Sequence, residues 1–291
     1  HPNTAARSLA SPVLRTVGVL FRRQRSTIDA NDLDYVDGVR QALEPSGIQV
    51  VIPIVKSSAP LIELRSIVRS GALGGVVLMD VAQGDEREAM LLKEGIATVL
   101  IGSSGSSGGA PGVDTDFAQM ACAAVDHLAG LGHRRVVALM RETASDDSHA
   151  RQDQARELLR AAGALAVDVL VRQVPELALA GGDIVGADGL VDGRTAVISN
   201  NPAAVVGLAC AAQAHGLSVP ADLSVLTLGI TQDSGRQGEA FSELSVDREA
   251  MGAAAGSLLL TRLRGEPAPV EHRTLMSAVL TDHGSTARCR D

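Results

Sequence analysis

Few side chains in this 291-residue chain combine a type and a setting suited to chemistry, and those that do are mostly cations and amides. Arg151 follows the apolar run 136–140 and a polar loop, near the start of the next helical stretch. In an open parallel sheet, ligands sit beyond the carboxyl ends of strands. A guanidinium placed there forks onto two oxygens at once, as in a carboxylate or phosphate. A solvated arginine in a first helical turn is the other reading of the same spacing. Asn201 stands before Pro202 and an alanine-rich run. Its side chain either caps that helix, with Pro at the first helical position, or reaches a ligand, and both uses compete for one amide. Arg22-Arg23-Gln24-Arg25 follows the first apolar run and precedes Asp29, Asp32 and Asp34. Such a run is a solvated face or a basic wall of a binding site.

Two enzyme-like patterns do not hold. Gly105-Ser106-Ser107-Gly108-Gly109 fits Gly-x-Ser-x-Gly, but the serine lies inside a Gly/Ser run ending at Pro111 rather than on a sharp strand-to-helix turn. Gly71-Ala72-Leu73-Gly74-Gly75 falls after a helix and before a strand, the reverse of a dinucleotide-binding turn. The seven histidines lack metal-ligand spacing, and His127 and His133, flanking a helix end, read as capping or interface groups. No catalytic residue, metal or cofactor is expected.

The elements that must hold these residues follow from periodicity. Phe117, Met120, Ala121, Ala124, Val125, Leu128 and Leu131 form an apolar stripe of helical period, with Asp116 able to cap its start and Gly132 placed to stop it. The run 136–140 is continuously apolar, as a strand covered on both faces requires. Further strands are expected over 16–21, 50–55, 75–79, 97–101, 167–172, 196–199, 224–228 and 277–281. Helices are expected over 32–44, 60–70, 86–94, 149–162, 175–180, 202–215 and 247–264. Strand and helix alternating across short loops give an α/β chain with parallel sheets covered on both faces, here two doubly wound parallel-sheet lobes. The polar tail after 281 is expected to be loose. The stretch 2–11 is too short to be stably helical alone.

Composition is that of a globular protein, 45% hydrophobic and 21% charged. A net charge of −8 removes long-range attraction to nucleic acid or anionic membrane for the chain as given. Cys122, Cys210 and Cys289 are far apart; the first two, among alanines, read as small buried hydrophobes in a reducing compartment. No apolar run reaches the length of a bilayer span, and the start lacks a secretion signature. The first residue is His1 rather than Met, so further sequence upstream is expected.

The run Val125-Asp126-His127-Leu128-Ala129-Gly130-Leu131-Gly132-His133-Arg134-Arg135-Val136 resembles the LacI/GalR family of bacterial transcription regulators, where the family's chain leaves one lobe for the other. Asn3, Ala6 and Leu9 after Pro2 are similar to the family's hinge helix, whose leucine wedges between bases in the minor groove. Val219-Pro220-Ala221-Asp222-Leu223-Ser224-Val225, Leu244-Ser245-Val246-Asp247 and Gly284-Ser285-Thr286-Ala287-Arg288 extend the likeness over nearly the whole chain.

The resemblance implies a type I periplasmic-binding-protein-like core. Residues 1–14 would be the hinge segment, 15–134 with about 245–268 the N-terminal lobe, and 135–244 with about 269–284 the C-terminal lobe. It implies a small-molecule effector between the lobes, a homodimer, operator DNA read by an upstream helix-turn-helix, a cytoplasmic location and no membrane contact. Carried over residue by residue, the effector set is Arg151, Asn201, Arg22, Arg23, Asp116 and Gly229, and the DNA hinge set is Asn3, Ala6, Arg7 and Leu9. Departures are informative. Gly229 stands where the family carries a hydroxyl-accepting carboxylate, Gln154-Ala155 where it carries Gly-aromatic, and Pro202 where it carries Asp. With 1% aromatic residues, ring stacking on a sugar has little to draw on. These changes point to an anionic effector, sugar derivative or otherwise, or to a site that no longer takes one. A solute-binding protein of an ABC-type transporter shares the architecture and is the alternative.

Overall fold

The apolar runs of the sequence become strands, and the computed structural model describes residues 16–22, 30–53, 60–107, 109–143, 147–186, 189–229, 241–266 and 272–290. Asn3, Ala6, Arg7, Leu9 and Arg23 lie outside the described residues. In chain order the elements are β1 (Thr16–Leu20), α1 (Ala30–Leu43), β2 (Gln49–Val51), α2 (Pro60–Arg69), β3 (Gly75–Leu78), α3 (Glu86–Lys93), β4 (Ala97–Ile101), β5 (Gly112–Thr115), α4 (Phe117–Gly130) and β6 (Arg135–Arg141). There follow α5 (His149–Gln152), α6 (Gln154–Ala164), β7 (Asp168–Val174), α7 (Ala178–Gly182), β8 (Val185–Gly186), β9 (Gly189–Leu190), β10 (Ala196–Ser199) and α8 (Pro202–Ala214). The last are β11 (Ser224–Leu228), β12 (Ser242–Ser245), α9 (Arg248–Leu263), β13 (Arg273–Met276) and β14 (Val279–Thr281).

Two six-stranded sheets result, ordered β13-β5-β4-β3-β1-β2 and β14-β12-β11-β10-β6-β7. Neighbours from β2 through β5, and from β7 through β12, pair in parallel, and β14 closes the second sheet antiparallel to β12. The expected α/β architecture of two doubly wound parallel sheets is therefore present. The central strands are buried and mostly apolar because helices cover both faces. Val136, Ala138 and Met140 pack under α4 and α6, while Val137 and Leu139 pack on the other face with Val205 and Leu208 of α8.

The chain divides into two compact units, one reaching to Asp114 and taking back Asp247–Met276, the other made of Thr115–Val246 and the residues from Ser277. The backbone thus passes from one unit to the other three times. The sequence reading kept 116–134 with the first lobe. In the structure the α4 stripe Met120, Ala121, Ala124, Val125 and Leu128 shares a core with Val136, Leu158 and Ile198, so this helix completes the second unit. Other expectations also shift. The single helix over 149–162 is two helices meeting at Asp153. β5, β12 and β13 are four-residue strands of mixed polarity, too short and too polar for a periodicity signal.

The tail expected to be loose is tied down. Ser285 Oγ donates to the Val225 carbonyl at 2.6 Å and accepts the Ser242 N–H at 2.6 Å. The Ala287 N–H reaches Ser224 Oγ and the Cys289 N–H reaches the Leu131 carbonyl, at 3.0 and 2.9 Å. Cys122 and Cys210 are exposed rather than buried, since each falls off the inward stripe of its helix. Among the described residues no helix is long and apolar enough to cross a membrane.

Candidate functional site

Both sheets carry the same winding. The parallel strands read β2-β1-β3-β4-β5 in one and β7-β6-β10-β11-β12 in the other, so the direction of succession reverses between β1 and β3 and again between β6 and β10. Beyond the carboxyl ends of strands at such a reversal, open α/β sheets hold their ligands.

In the first unit, an ion pair that sequence reasoning missed fills that place. Asp85 caps α3, its Oδ1 accepting the Arg87 N–H at 3.0 Å, while Oδ2 accepts the Ala82 N–H at 3.0 Å. The Arg87 guanidinium forks back onto the same carboxylate at 3.0 and 2.8 Å. Its remaining donors reach the carbonyls of Leu20, Met79 and Asp80 at 3.3, 2.9 and 3.3 Å, the main chain just where β1 and β3 end. Burial pushes the Asp85 carboxyl up, but the hydrogen bonds and charge of Arg87 hold it below its ordinary value of 3.8. Arg22 lies two residues beyond β1 and is half-buried. The Gly/Ser loop after β4 is held by buried Glu88, whose Oε1 accepts the Ala110 N–H at 2.7 Å.

The second unit leaves its reversal point differently furnished. The Arg141 N–H, at the end of β6, donates to Asn200 Oδ1 at 2.6 Å, one residue beyond β10. Asn200 Nδ2 donates in turn to Gln154 Oε1 at 2.5 Å, at the first position of α6. Arg151, on α5, is half-exposed and makes no side-chain hydrogen bond or ion pair among the described residues.

Asn201, by contrast, belongs to the fold. It is 0% exposed. Its Oδ1 caps α8 by accepting the Ala204 N–H at 3.1 Å, and its Nδ2 reaches the carbonyls of Val174 and Pro175 at 3.3 and 3.0 Å. Between its two expected uses, capping has taken the whole amide. The neighbouring Asn200 is the asparagine that stands at the strand ends, and the sequence held a signal for this. Pro202 at the first helical position marks the residue before it as the cap.

Asp116 is likewise a cap, its Oδ1 accepting the Gln119 N–H at 2.9 Å. Gly229 turns the chain off β11 with φ +63° and its N–H on the Leu244 carbonyl at 2.7 Å, a conformation that glycine adopts freely. Of the expected effector residues that are described, Arg22, Asp116, Asn201 and Gly229 follow the carboxyl ends of β1, β5, β10 and β11 within two residues, while Arg151 lies on α5, beyond the loop that follows β6.

The amino ends of the same strands hold His133, almost fully buried. Its Nε2 lies 3.0 Å from the Ala287 carbonyl and from Ser224 Oγ, and its Nδ1 lies 2.8 Å from Thr195 Oγ1. A carbonyl only accepts, so Nε2 carries the proton and Nδ1 takes one from the threonine hydroxyl. Burial lowers the imidazole's affinity for a second proton. Among the described residues no group of His, Cys, Asp and Glu is arranged to hold a metal ion.

Residues 125–286 match the family model described as a periplasmic binding protein-like domain. Over 137 residues the chain is 25% identical to the HTH-type transcriptional regulator IpsA of Corynebacterium glutamicum, a match that spans 46% of this chain and 38% of that protein. Among solved structures, a LacI family transcriptional regulator from Bifidobacterium animalis subsp. lactis superposes with a TM-score of 0.80 at 17% identity, covering 95% of this chain and 99% of the other. The transcriptional regulator CelR in complex with cellobiose gives 0.76 at 20% identity, covering 97% and 88%. At such identities these structures establish the fold.

Proposed function

The chain belongs to the periplasmic binding protein-like domain family, and on that premise we propose that it is the effector-binding and dimerisation core of a LacI/GalR-type transcription regulator. The observation that carries this is the winding of two parallel sheets that each reverse their strand order once, with the Asn200–Gln154 contact at the β6–β10 reversal. The likeness to an HTH-type regulator supports a regulator over a transporter's solute-binding protein, and CelR, solved with cellobiose, is an example of this fold around a small ligand. The effector acts only through unequal affinity for two states of the core, since a ligand that binds both equally shifts nothing.

Operator DNA is read by residues upstream of His1, with Asn3, Ala6, Arg7 and Leu9 as the hinge that joins reader to core. The chain as given carries −8 and offers few cations for phosphate, so it shows no sequence-specific retardation of DNA by itself. The working form is a cytoplasmic homodimer, as a two-fold operator requires. Large apolar side chains left exposed support pairing, among them Ile62 on α2 at 72% and Leu179 on α7 at 82%. Sedimentation that finds only monomer at tens of micromolar, roughly well above an ordinary dimer constant, counts against it. The direct test is the sequence encoded just upstream of His1. A helix-turn-helix there supports the reading, and a secretion signal overturns it in favour of a transporter component.

A further inference from the structure

Each six-stranded sheet ends in two edge strands, and an edge presents N–H and C=O groups on which a further strand can form. Most of these edges are short: β2 and β14 have three residues each and β13 has four. The remaining edge, β7, has seven, Asp168-Val169-Leu170-Val171-Arg172-Gln173-Val174, with neither proline nor glycine among them. It runs one-to-one beside β6 over its whole length, with no bulge to turn it aside. The Asp168 N–H donates to the Arg134 carbonyl and the Val174 carbonyl accepts the Glu142 N–H, at 2.8 and 3.0 Å. Even-numbered residues therefore turn their main chain toward β6, and Val169, Val171 and Gln173 turn theirs outward. Among the described residues those outward groups meet no partner.

A second copy of the same strand fits this edge. Let two copies run antiparallel about a two-fold axis at Leu170. Val169 of each then faces Val171 of the other, and each such pair exchanges both N–H···O bonds. Asp168 of each copy stands opposite Arg172 of the other, and Leu170 opposite itself. These are the non-hydrogen-bonded positions, where side chains across an antiparallel pair come closest. Asp168 is 61% exposed and engages Arg194 through Oδ2 at 2.9 Å. Arg172 is exposed and has no side-chain partner among the described residues. Opposite charges directly across such a pair stabilise it, and like charges oppose it. Moving the axis one residue, to Val171, sets each Arg172 against Leu170 and loses the ion pairs.

We propose that β7 is a self-association edge, at which two copies of this chain join β7 to β7, antiparallel about Leu170, into one continuous sheet. The contact is isologous, the same strand serving both sides. It uses a strand edge rather than exposed apolar side chains such as Ile62 and Leu179. It is therefore a second contact beside the one the homodimer reading calls on, and either can fail alone.

Sedimentation equilibrium is run from about 10 to about 500 μM, because so small a contact binds more weakly than a standard interface. Arg172→Asp leaves Asp168 facing a second carboxylate. Val171→Pro removes an outward N–H that no bond within the chain uses, a change edge strands tolerate. The wild-type mass should rise with concentration to about twice that of either variant, while the variants keep a Tm close to the wild type's. If Val171→Pro lowers Tm, Arg172→Asp decides, since that side chain is exposed. Leu170→Cys should gain a reducible cross-link between copies that the wild type lacks, the Cα atoms at such a pair being about 4.5 Å apart, within the span of a disulfide. A mass that climbs as steeply in Arg172→Asp as in the wild type overturns the inference and leaves a homodimer through another face in place. So does Leu170→Cys without the cross-link. A wild-type mass that stays constant over the range also overturns it, the edge then being bare or reserved for a different protein.

Discussion

Arg87 in the first unit and Arg151 in the second both stand on a helix that leaves the carboxyl edge of a parallel sheet, beside the point where strand order reverses. Arg87 is sealed in, with side-chain exposures of 10% for it and 3% for Asp85, and its donors engage one carboxylate and three main-chain carbonyls. Arg151 is half-exposed and engages nothing among the described residues. One winding therefore carries two arginines on opposite sides of its strand reversal, Arg87 after β3 and Arg151 after β6, with opposite employment. What separates them is the supply of acceptors. A cap carboxylate two residues away and strand ends that leave carbonyls facing outward turn a guanidinium into part of the fold. Where an asparagine and a glutamine satisfy each other and the main chain instead, the neighbouring guanidinium stays available.

The largest test of this contrast is Arg87→Ala. It strands a buried carboxylate and the carbonyls of Leu20, Met79 and Asp80, and should cost about 3–5 kcal/mol, read as a lowered urea midpoint. A loss as small as that of an exposed arginine would erase the distinction. Next comes the asparagine pair. Asn201→Ala removes the α8 cap and two bonds to the end of β7, and should cost roughly 1–3 kcal/mol. Asn200→Ala should cost less stability and weaken ligand binding more, and calorimetry on both variants shows whether the two roles are divided in this way.

A smaller effect depends on pH at the opposite strand ends. Burial holds the folded-state pKa of His133 below its ordinary 6.5, so only the unfolded chain takes up this proton as pH falls from 6.5 toward the folded value. Stability from this group is complete above 6.5 and declines below it. His127, lowered by burial in the same way, adds to the slope. Thermal unfolding across this range should show a shallower decline in His133→Gln than in the wild type. The smallest expected change is Arg151→Ala, within about 0.5 kcal/mol of wild type in the absence of ligand. A clear destabilisation there would mean that this arginine, too, is a structural one.

Much of the fold was legible because it is written in periodicity. The α4 stripe from Phe117 to Leu128 and the apolar runs around Val76, Val137 and Leu226 announce buried elements without reference to distant residues. Polar employment is not written that way. Asp85-Glu86-Arg87 reads as an ordinary charged first turn, and nothing local reveals that Arg87 meets the Leu20 carbonyl 67 residues away. Asn200 and Asn201 are adjacent and chemically identical. Only the helix register, visible through Pro202, tells which amide is consumed. The placing of α4 failed for a related reason. Its stripe says that it is buried, but the sheet that buries it is chosen by a strand order the sequence does not display. The tail after Thr281 is held for a like reason, since Ser285 and Ala287 bond to distant partners in β11 and β12 and Cys289 to Leu131, none of which is visible locally.

The three passages of the backbone between the units carry a consequence for how the molecule is made. A growing polypeptide folds roughly in the order in which it is synthesised, yet the early-made sheet lacks α9 and its edge strand β13 until residues beyond 246 have emerged. The later sheet waits for β14 and for Ser285, which bonds β11 and β12 through one hydroxyl. Neither half can finish first and serve as a settled template for the other. During synthesis the uncovered sheet faces, more than the folded surface, are where a chaperone or a protease would find this protein.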